Sequence, residues 1–239
     1  MNMGLVNDLE NKVQEYLDGD YEVTETQTIP SVDNVPFGKK AKKMQLCAYC
    51  IDLRKSSDLL TIHQKRTSGK IHKAFLAVAS KVVLEYGGNI RSFNGDSILA
   101  FWPASYKSQI SKAVEAAMIT KWFLDIKLSP LFEKYEKIDF GIGLDWGEVY
   151  IVRAGIPRDT NNNDLVFIGK CVNFATAIAN QAHAPYHVEI SEVTYKNLTD
   201  DRIYGVSNGA EVNMWKDDKV EWNGKKYDSK ITTWHIYLK

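Results

Sequence analysis

Two carboxylates stand apart from the segments that carry them. Asp52 sits near the end of the apolar run Leu46 to Leu53, and Asp96 directly follows the pair Asn94-Gly95. A charged group on an apolar strand is costly to desolvate unless it is paired or binds a cation. Two carboxylates at neighbouring strand ends can hold divalent metals, and two metals can clamp the phosphates of an in-line displacement. Taken singly, each acid has a plainer use, as an exposed turn residue or a helix cap. After Asp52 come Leu53, Arg54, Lys55, Ser56 and Ser57, two bases and two hydroxyls at a strand-to-helix turn. Such a turn offers backbone N–H groups to an anion, although simple capping by a serine explains it equally well. Ile168-Gly169-Lys170 opens a second helix, on which Asn173 shares a face with Lys170 and Ala177. Cys47 and Cys50 form a C-x-x-C inside a strand, where an offset of three points them to opposite faces. With no second cysteine pair and scattered histidines, a zinc site is not expected.

The elements that must position these groups follow from periodicity. Leu5, Leu9, Val13 and Leu17 mark one face of a helix; Glu22 to Ile29 alternates as a strand. Pro30 to Gly38 is turn-rich, and Lys39, Lys40, Lys42 and Lys43 then read as a solvated charge run. Leu46 to Leu53 predicts a buried strand, and Ile71 to Tyr86 a helix that stops at Gly87-Gly88. Asn89 to Trp102 predicts a hairpin whose Asn94-Gly95 suits a type I′ turn. Ser105 to Leu128 predicts a long helix, with a short one starting at Ser129-Pro130. Lys137 to Leu144 and Glu148 to Ala154 read as strands around a turn at Asp145-Trp146-Gly147. Arg158 to Asn163 is a polar loop, Leu165 to Ile168 a strand and Lys170 to Ala182 a helix. Strand His187 to Ile190, helix Glu192 to Leu198 and hairpins at Asn208-Gly209 and Asn223-Gly224 complete the chain. Trp215, Trp222 and Trp234 are expected to pack the last strands. Helices and strands alternate with several hairpins, which places the chain in the α/β class with a mixed sheet.

The 239 residues balance 30 Lys+Arg against 30 Asp+Glu, with 44% hydrophobic and 25% charged, as in an ordinary globular chain. That balance excludes a nucleic-acid binder working through bulk positive charge. No apolar stretch approaches ~18 residues, and the N-terminal segment lacks a signal-peptide pattern. Three cysteines fit a reducing compartment. The expectation is a cytoplasmic protein bound to neither nucleic acid nor membrane.

Three stretches in this order resemble the catalytic domain of class III nucleotide cyclases, from about Met44 to Leu198. CAYCIDLRKSS resembles the strand with the first metal-binding Asp, here Asp52, and GGNIRSFNGDSILAF the hairpin with the second, here Asp96. DFGIGLDWGEVYIVRAG followed by LVFIGKCVNFA resembles a glycine-punctuated hairpin and the helix bearing a transition-state Asn, here Asn173. The resemblance implies an α/β (α+β) fold with a palm-like, ferredoxin-like mixed sheet and flanking helices. It divides the chain into an N-terminal helix and strand extension, 1–43, and a catalytic domain with C-terminal strands, 44–239. It implies a head-to-tail homodimer with active sites at the interface. There one protomer supplies Asp52, Leu53 and Asp96 for two Mg²⁺ or Mn²⁺ ions, and the other supplies Asn173. The ribose 3′-oxygen attacks the α-phosphorus and pyrophosphate leaves.

The departures narrow the substrate. Positions where purine-specific members carry base readers are Ser92 and Val166, and the place of a usual Arg is Ala177. Loss of such hydrogen bonds costs discrimination. With the extra strand before Met44, this pattern resembles the pyrimidine cyclases of bacterial Pycsar antiphage defence. Those enzymes make cyclic UMP or cyclic CMP, which a separate effector reads. UTP is the favoured substrate, then CTP, then a purine triphosphate; an inactive nucleotide-binding module is the remaining alternative. Cys50, Ser92 and Val166 are expected around the base, with Ser56 and Ser57 toward the phosphates. Arg54, Lys170 and Arg153 are candidates for the missing cation, and the turn beside Asp52 favours Arg54.

Overall fold

The computed structural model describes residues 3–157, 159 and 161–238. In chain order the elements are α1 (Met3–Leu17), β1 (Glu22–Glu25), a 3-10 turn (Val32–Asn34), β2 (Lys40–Leu53), α2 (Ser56–Ile62) and α3 (Lys65–Glu85). Next come β3 (Asn89–Asn94), β4 (Ser97–Pro103), α4 (Lys107–Lys121), a π-helical turn (Trp122–Lys127) and α5 (Ser129–Phe132). The chain continues through β5 (Phe140–Gly155), β6 (Asn163–Ile168), α6 (Lys170–Gln181), β7 (Val188–Ser191), α7 (Glu192–Lys196) and α8 (Asp200–Ile203). It ends with β8 (Tyr204–Ser207), β9 (Ala210–Asn213), β10 (Lys216–Trp222) and β11 (Lys225–Thr232).

Two compact units emerge, one of Gln45–Glu148 with Gly169–Lys239, the other of Met1–Met44 with Val149–Ile168. In the larger unit the strands run β10-β11-β7-β5-β2-β4-β3. The β7–β5 pair is parallel and the β10–β11, β11–β7, β2–β4 and β4–β3 pairs are antiparallel, a mixed sheet. Alternation along β2 sends Cys47, Tyr49, Ile51 and Leu53 to one face, where they pack with Phe75 and Val83 of α3 and Val114 and Met118 of α4. Phe140, Ile142 and Leu144 of β5 join that cluster. The opposite face receives α6 because β5 is bare there. A Cβ on Gly143 would lie 2.2 Å from the Ala175 carbonyl oxygen, and one on Gly141 2.1 Å from that of Ala179. In the smaller unit β1 pairs in parallel with Lys40–Lys43 of β2, and β6 pairs antiparallel with the last residues of β5.

Several expectations are corrected. The lysines read as a solvated charge run include the first residues of β2: Lys40 pairs with Glu22 at 3.0 Å and Lys43 with Glu25 at 3.1 Å, while Lys39, just before the strand, donates to the Asp18 carbonyl. The strand expected over Glu22 to Ile29 ends at Glu25, where its pairing to β2 ends. The long helix divides at Lys121, giving way to the π turn. The expected turn at Asp145-Trp146-Gly147 does not form, and β5 runs straight through it. There Ser191 Oγ donates to Asp145 Oδ1, and the Trp146 indole donates to the Ala104 carbonyl at 2.8 Å. These long-range bonds hold extended a triplet that locally reads as a turn. The β3–β4 loop is Gly95-Asp96 rather than Asn94-Gly95, since Asn94 pairs with Ser97. Gly95 alone has positive φ, at 64°, the pattern of a type II′ turn.

Other expectations are borne out. Asn208-Gly209 and Asn223-Gly224 have positive φ at both residues, as type I′ turns require. Trp215 and Trp234 join the main core, and Trp222 packs the β10–β11 hairpin against Phe174 of α6. Of the polar loop after β5, Arg158 and Thr160 lie outside the described residues, and Asp159 accepts from Asn161 N and Asn162 Nδ2.

Candidate active site

Asp52 and Asp96 come together by register. Asp52 of β2 pairs with Ser97 of β4, and Asp96 is the residue before Ser97, in the tight turn. Burial and the neighbouring Asp96 carboxylate push Asp52 up to about 6, against a smaller opposing pull from Arg54. A half-buried carboxylate with a second carboxylate beside it suits a divalent cation. Among the described residues no group of three or more His, Cys, Asp or Glu converges as a metal site. The donor set is therefore a pair, the number with which Mg²⁺ commonly binds when phosphate oxygens and water complete its shell. The Leu53 side chain is 1% exposed and belongs to the core, so only its backbone is available to a ligand.

The turn after Leu53 is shaped by Lys55, whose φ of 54° is left-handed, and α2 begins with Ser56 and Ser57. Arg54 is tied on both sides. Its backbone N–H donates to the Asp139 carbonyl at 2.9 Å, and its guanidinium donates to the Asn180 carbonyl at the C-terminal end of α6. Arg153 is structural: it donates to Asn163 Oδ1 at 3.0 Å and lies 4.5 Å from the centre of the Phe37 ring.

Helix α6 presents Asn173 exposed, with no side-chain partner among the described residues. Lys170, one turn earlier, is also exposed and stands over three rings: Tyr227 at 4.6 Å, Phe174 at 5.5 Å and Trp222 at 5.9 Å from Nζ to centroid. It lines a cavity of about 370 Å³ with Asp145, Trp146, Cys171 and Tyr227. Asp145, 4% exposed, is pushed up to about 6 by burial, although Ser191, the Trp146 amide and the Lys170 charge oppose that rise. Glu189 on β7 accepts from Ser229 Oγ at 2.6 Å, and burial raises it to about 7. Nothing local in the sequence marks either acid, and the triplet around Asp145 reads as a turn. The Asn223-Gly224 signal located the β10–β11 hairpin, but nothing local to it shows that its rings meet Lys170.

The expected base residues are only partly brought together. Cys50 and Ser92 flank Leu99 in one register row of β2, β4 and β3, beside an irregularity between Ile90 and Ser92. Cys50 is 3% exposed beside Thr176 of α6, and burial pushes its thiol up to about 12. Val166 belongs to the smaller unit, exposed on β6 opposite Val152.

Solved structures of nucleotide cyclases share this fold. The chain superposes on an adenylyl cyclase from P. aeruginosa with a TM-score of 0.66 at 19% identity, covering 80% of this chain and 95% of that one. A guanylyl cyclase domain gives 0.64 at 19% identity, over 80% and 91% respectively. The fold is thus that of the class III nucleotide cyclases. No protein-family model matches the chain. A uridylate cyclase of Burkholderia cepacia is 31% identical over 238 residues, 97% of this chain and 98% of that protein. The chain belongs to the uridylate cyclase family.

Proposed function

We propose that the protein converts UTP to 3′,5′-cyclic UMP and pyrophosphate. The observation that carries this reading is the Asp52–Asp96 pair, two carboxylates brought together by strand register, with burial and the Asp96 carboxylate both raising Asp52. The family's uridylate cyclases support UTP, and the absence of a cationic or acidic side chain at Ser92 and Val166 agrees with a pyrimidine. Asp52, Asp96 and the Leu53 backbone would hold two Mg²⁺ or Mn²⁺ ions, which when bound supply electrophilic stabilisation at the reacting phosphate. Ser56, Ser57 and the first N–H groups of α2 would orient the triphosphate. Asn173 would donate from its amide to the α-phosphate as charge accumulates on the non-bridging oxygens. Cys50 and Ser92 would border the base; Ser92 can both donate and accept, as a pyrimidine edge requires.

The working enzyme is a homodimer with its sites at the interface, and its cyclic nucleotide is read by a separate effector in antiphage defence. A cytoplasmic setting accords with the helices, none of which, among the described residues, is long and apolar enough to cross a membrane. The test is incubation of purified protein with each of the four ribonucleoside triphosphates and Mn²⁺, with products identified by mass. Cyclic UMP as the main product is expected. Cyclic CMP or a purine product would reassign the base pocket, and no product from any triphosphate would leave a binding module.

A further inference from the structure

The C-terminal hairpin lies along α6 and is fastened to it at two levels. At the helix C-terminus the Gln181 amide donates to the Glu221 carbonyl at 2.7 Å, and the Glu221 N–H donates back to Gln181 Oε1 at 3.0 Å. Toward the N-terminus, Phe174 packs against Trp222 and Tyr227 at centroid distances of 5.3 and 5.2 Å, while Trp222 and Tyr227 lie 5.9 Å apart. Ala177 lies partly buried against the same cluster, with Ile178 and Val220. Lys170 is the one cation of α6, and its ammonium sits within reach of all three ring faces while remaining open to solvent. An ammonium within about 6 Å of a ring is attracted by the ring's quadrupole. A free lysine would otherwise be spread over many rotamers, at an entropy cost to any complex that fixes it.

We infer that the β10–β11 hairpin is a positioning device that holds Lys170, beside Asn173, as the cation that meets the triphosphate. This rests on the cyclase reading and adds to it which cation serves. Arg54, the alternative, already gives its guanidinium to the Asn180 carbonyl. Lys170 is the catalytic residue in this assignment, and Tyr227 and Trp222 act through it. The exposed position of Lys170 lets it be replaced without disturbing the core.

The experiment is steady-state turnover of UTP with Mn²⁺ by the full chain, paired with calorimetric binding of inorganic tripolyphosphate. Lys170→Met should lower kcat about a hundredfold, and Lys170→Arg should recover all but about tenfold of it. Tyr227→Leu should lower kcat about tenfold while Tyr227→Phe, which keeps the ring, stays within about twofold of wild type. In the Lys170→Met background Tyr227→Leu should cost nothing more, because the ring acts only through the ammonium. Equal losses from Tyr227→Leu in both backgrounds would make the hairpin merely structural and overturn the inference, as would a Lys170→Met enzyme within about twofold of wild type. Should the wild type make no cyclic nucleotide from any triphosphate, the cyclase reading itself fails. The lysine is then judged on tripolyphosphate alone: affinity lost about tenfold in Lys170→Met and Tyr227→Leu supports it, and unchanged affinity overturns it.

Discussion

Asp52 shows how a single side chain can be costly to the fold and necessary to the site. Burial and Asp96 both oppose its ionisation, so an uncharged residue there relieves the protein while removing a proposed ligand of the cation. Asp52→Ala and Asp96→Ala are each expected to leave cyclisation below a few per cent of wild type with the melting temperature kept or raised; turnover and thermal unfolding decide it. Activity retained in either variant would remove the paired-carboxylate mechanism. Glu189 carries the same tension into the core. Its folded value of about 7 lies above its ordinary 4.5, so the folded state binds the proton more tightly than the unfolded one. The stability that protonation gives is complete below about pH 4.5 and is lost as pH rises through about 7, on the order of 3 kcal/mol. Glu189→Gln keeps an acceptor for Ser229 and cannot ionise. Urea unfolding at about pH 5 and about pH 8 should show the variant gaining on wild type at the higher pH. A constant difference at the two pH values would show that Glu189 ionises without cost.

At the scale of elements, the position of α6 decides where Lys170 and Asn173 stand, and two glycines of β5 decide the position of α6. The atoms that a Cβ on Gly143 would strike include the Ala175 carbonyl oxygen at 2.2 Å and the Ala179 nitrogen at 2.4 Å, both backbone, so no side chain can swing aside. Gly143→Ala should therefore lift the helix, with a loss of about 1–3 kcal/mol or more and a matching fall in turnover. Thermal unfolding and kinetics of the same preparation check it, and an unshifted melting temperature would mean that the helix yields without cost. This glycine also marks what a sequence reader could and could not see. The hairpins at Asn208-Gly209 and Asn223-Gly224 were legible because a type I′ turn is specified by its own two residues. The apolar run of β2 and the helical stripe of α3 were legible for the same reason, both patterns being local. The continuity of β5 through Asp145-Trp146-Gly147 was not, since the bonds that straighten it come from Ser191 and Ala104, remote in sequence. The Asp52–Asp96 pair was legible from strand and turn; the aromatic setting of Lys170 depends on a hairpin some fifty residues away and was hidden.

At the scale of the whole molecule, the proposed mechanism divides the site between two protomers. No hydrogen bond or ion pair joins Asn173 to Asp52 or Asp96, and Asn173 faces solvent although it lies in the larger unit with both acids. In the proposed head-to-tail dimer the α6 face of each chain would meet the carboxylates of the other, and two-fold symmetry would make the two sites equivalent. The consequence is quantitative. Mix Asp52→Ala chains, inactive for want of a metal ligand, with Asn173→Ala chains, inactive for want of the amide. If protomers exchange at random, about half of the dimers are hybrids, and each hybrid has one site damaged twice and one site intact. Activity should then recover to about a quarter of the wild-type value per total protomer, rising with the time allowed for exchange and absent from either variant alone. Exchange is verified by labelling the two variants with different tags and co-purifying the hybrid. If labelled hybrids form and stay inactive, each site is completed by its own chain, and α6 must then close on Asp52 by a movement within the protomer.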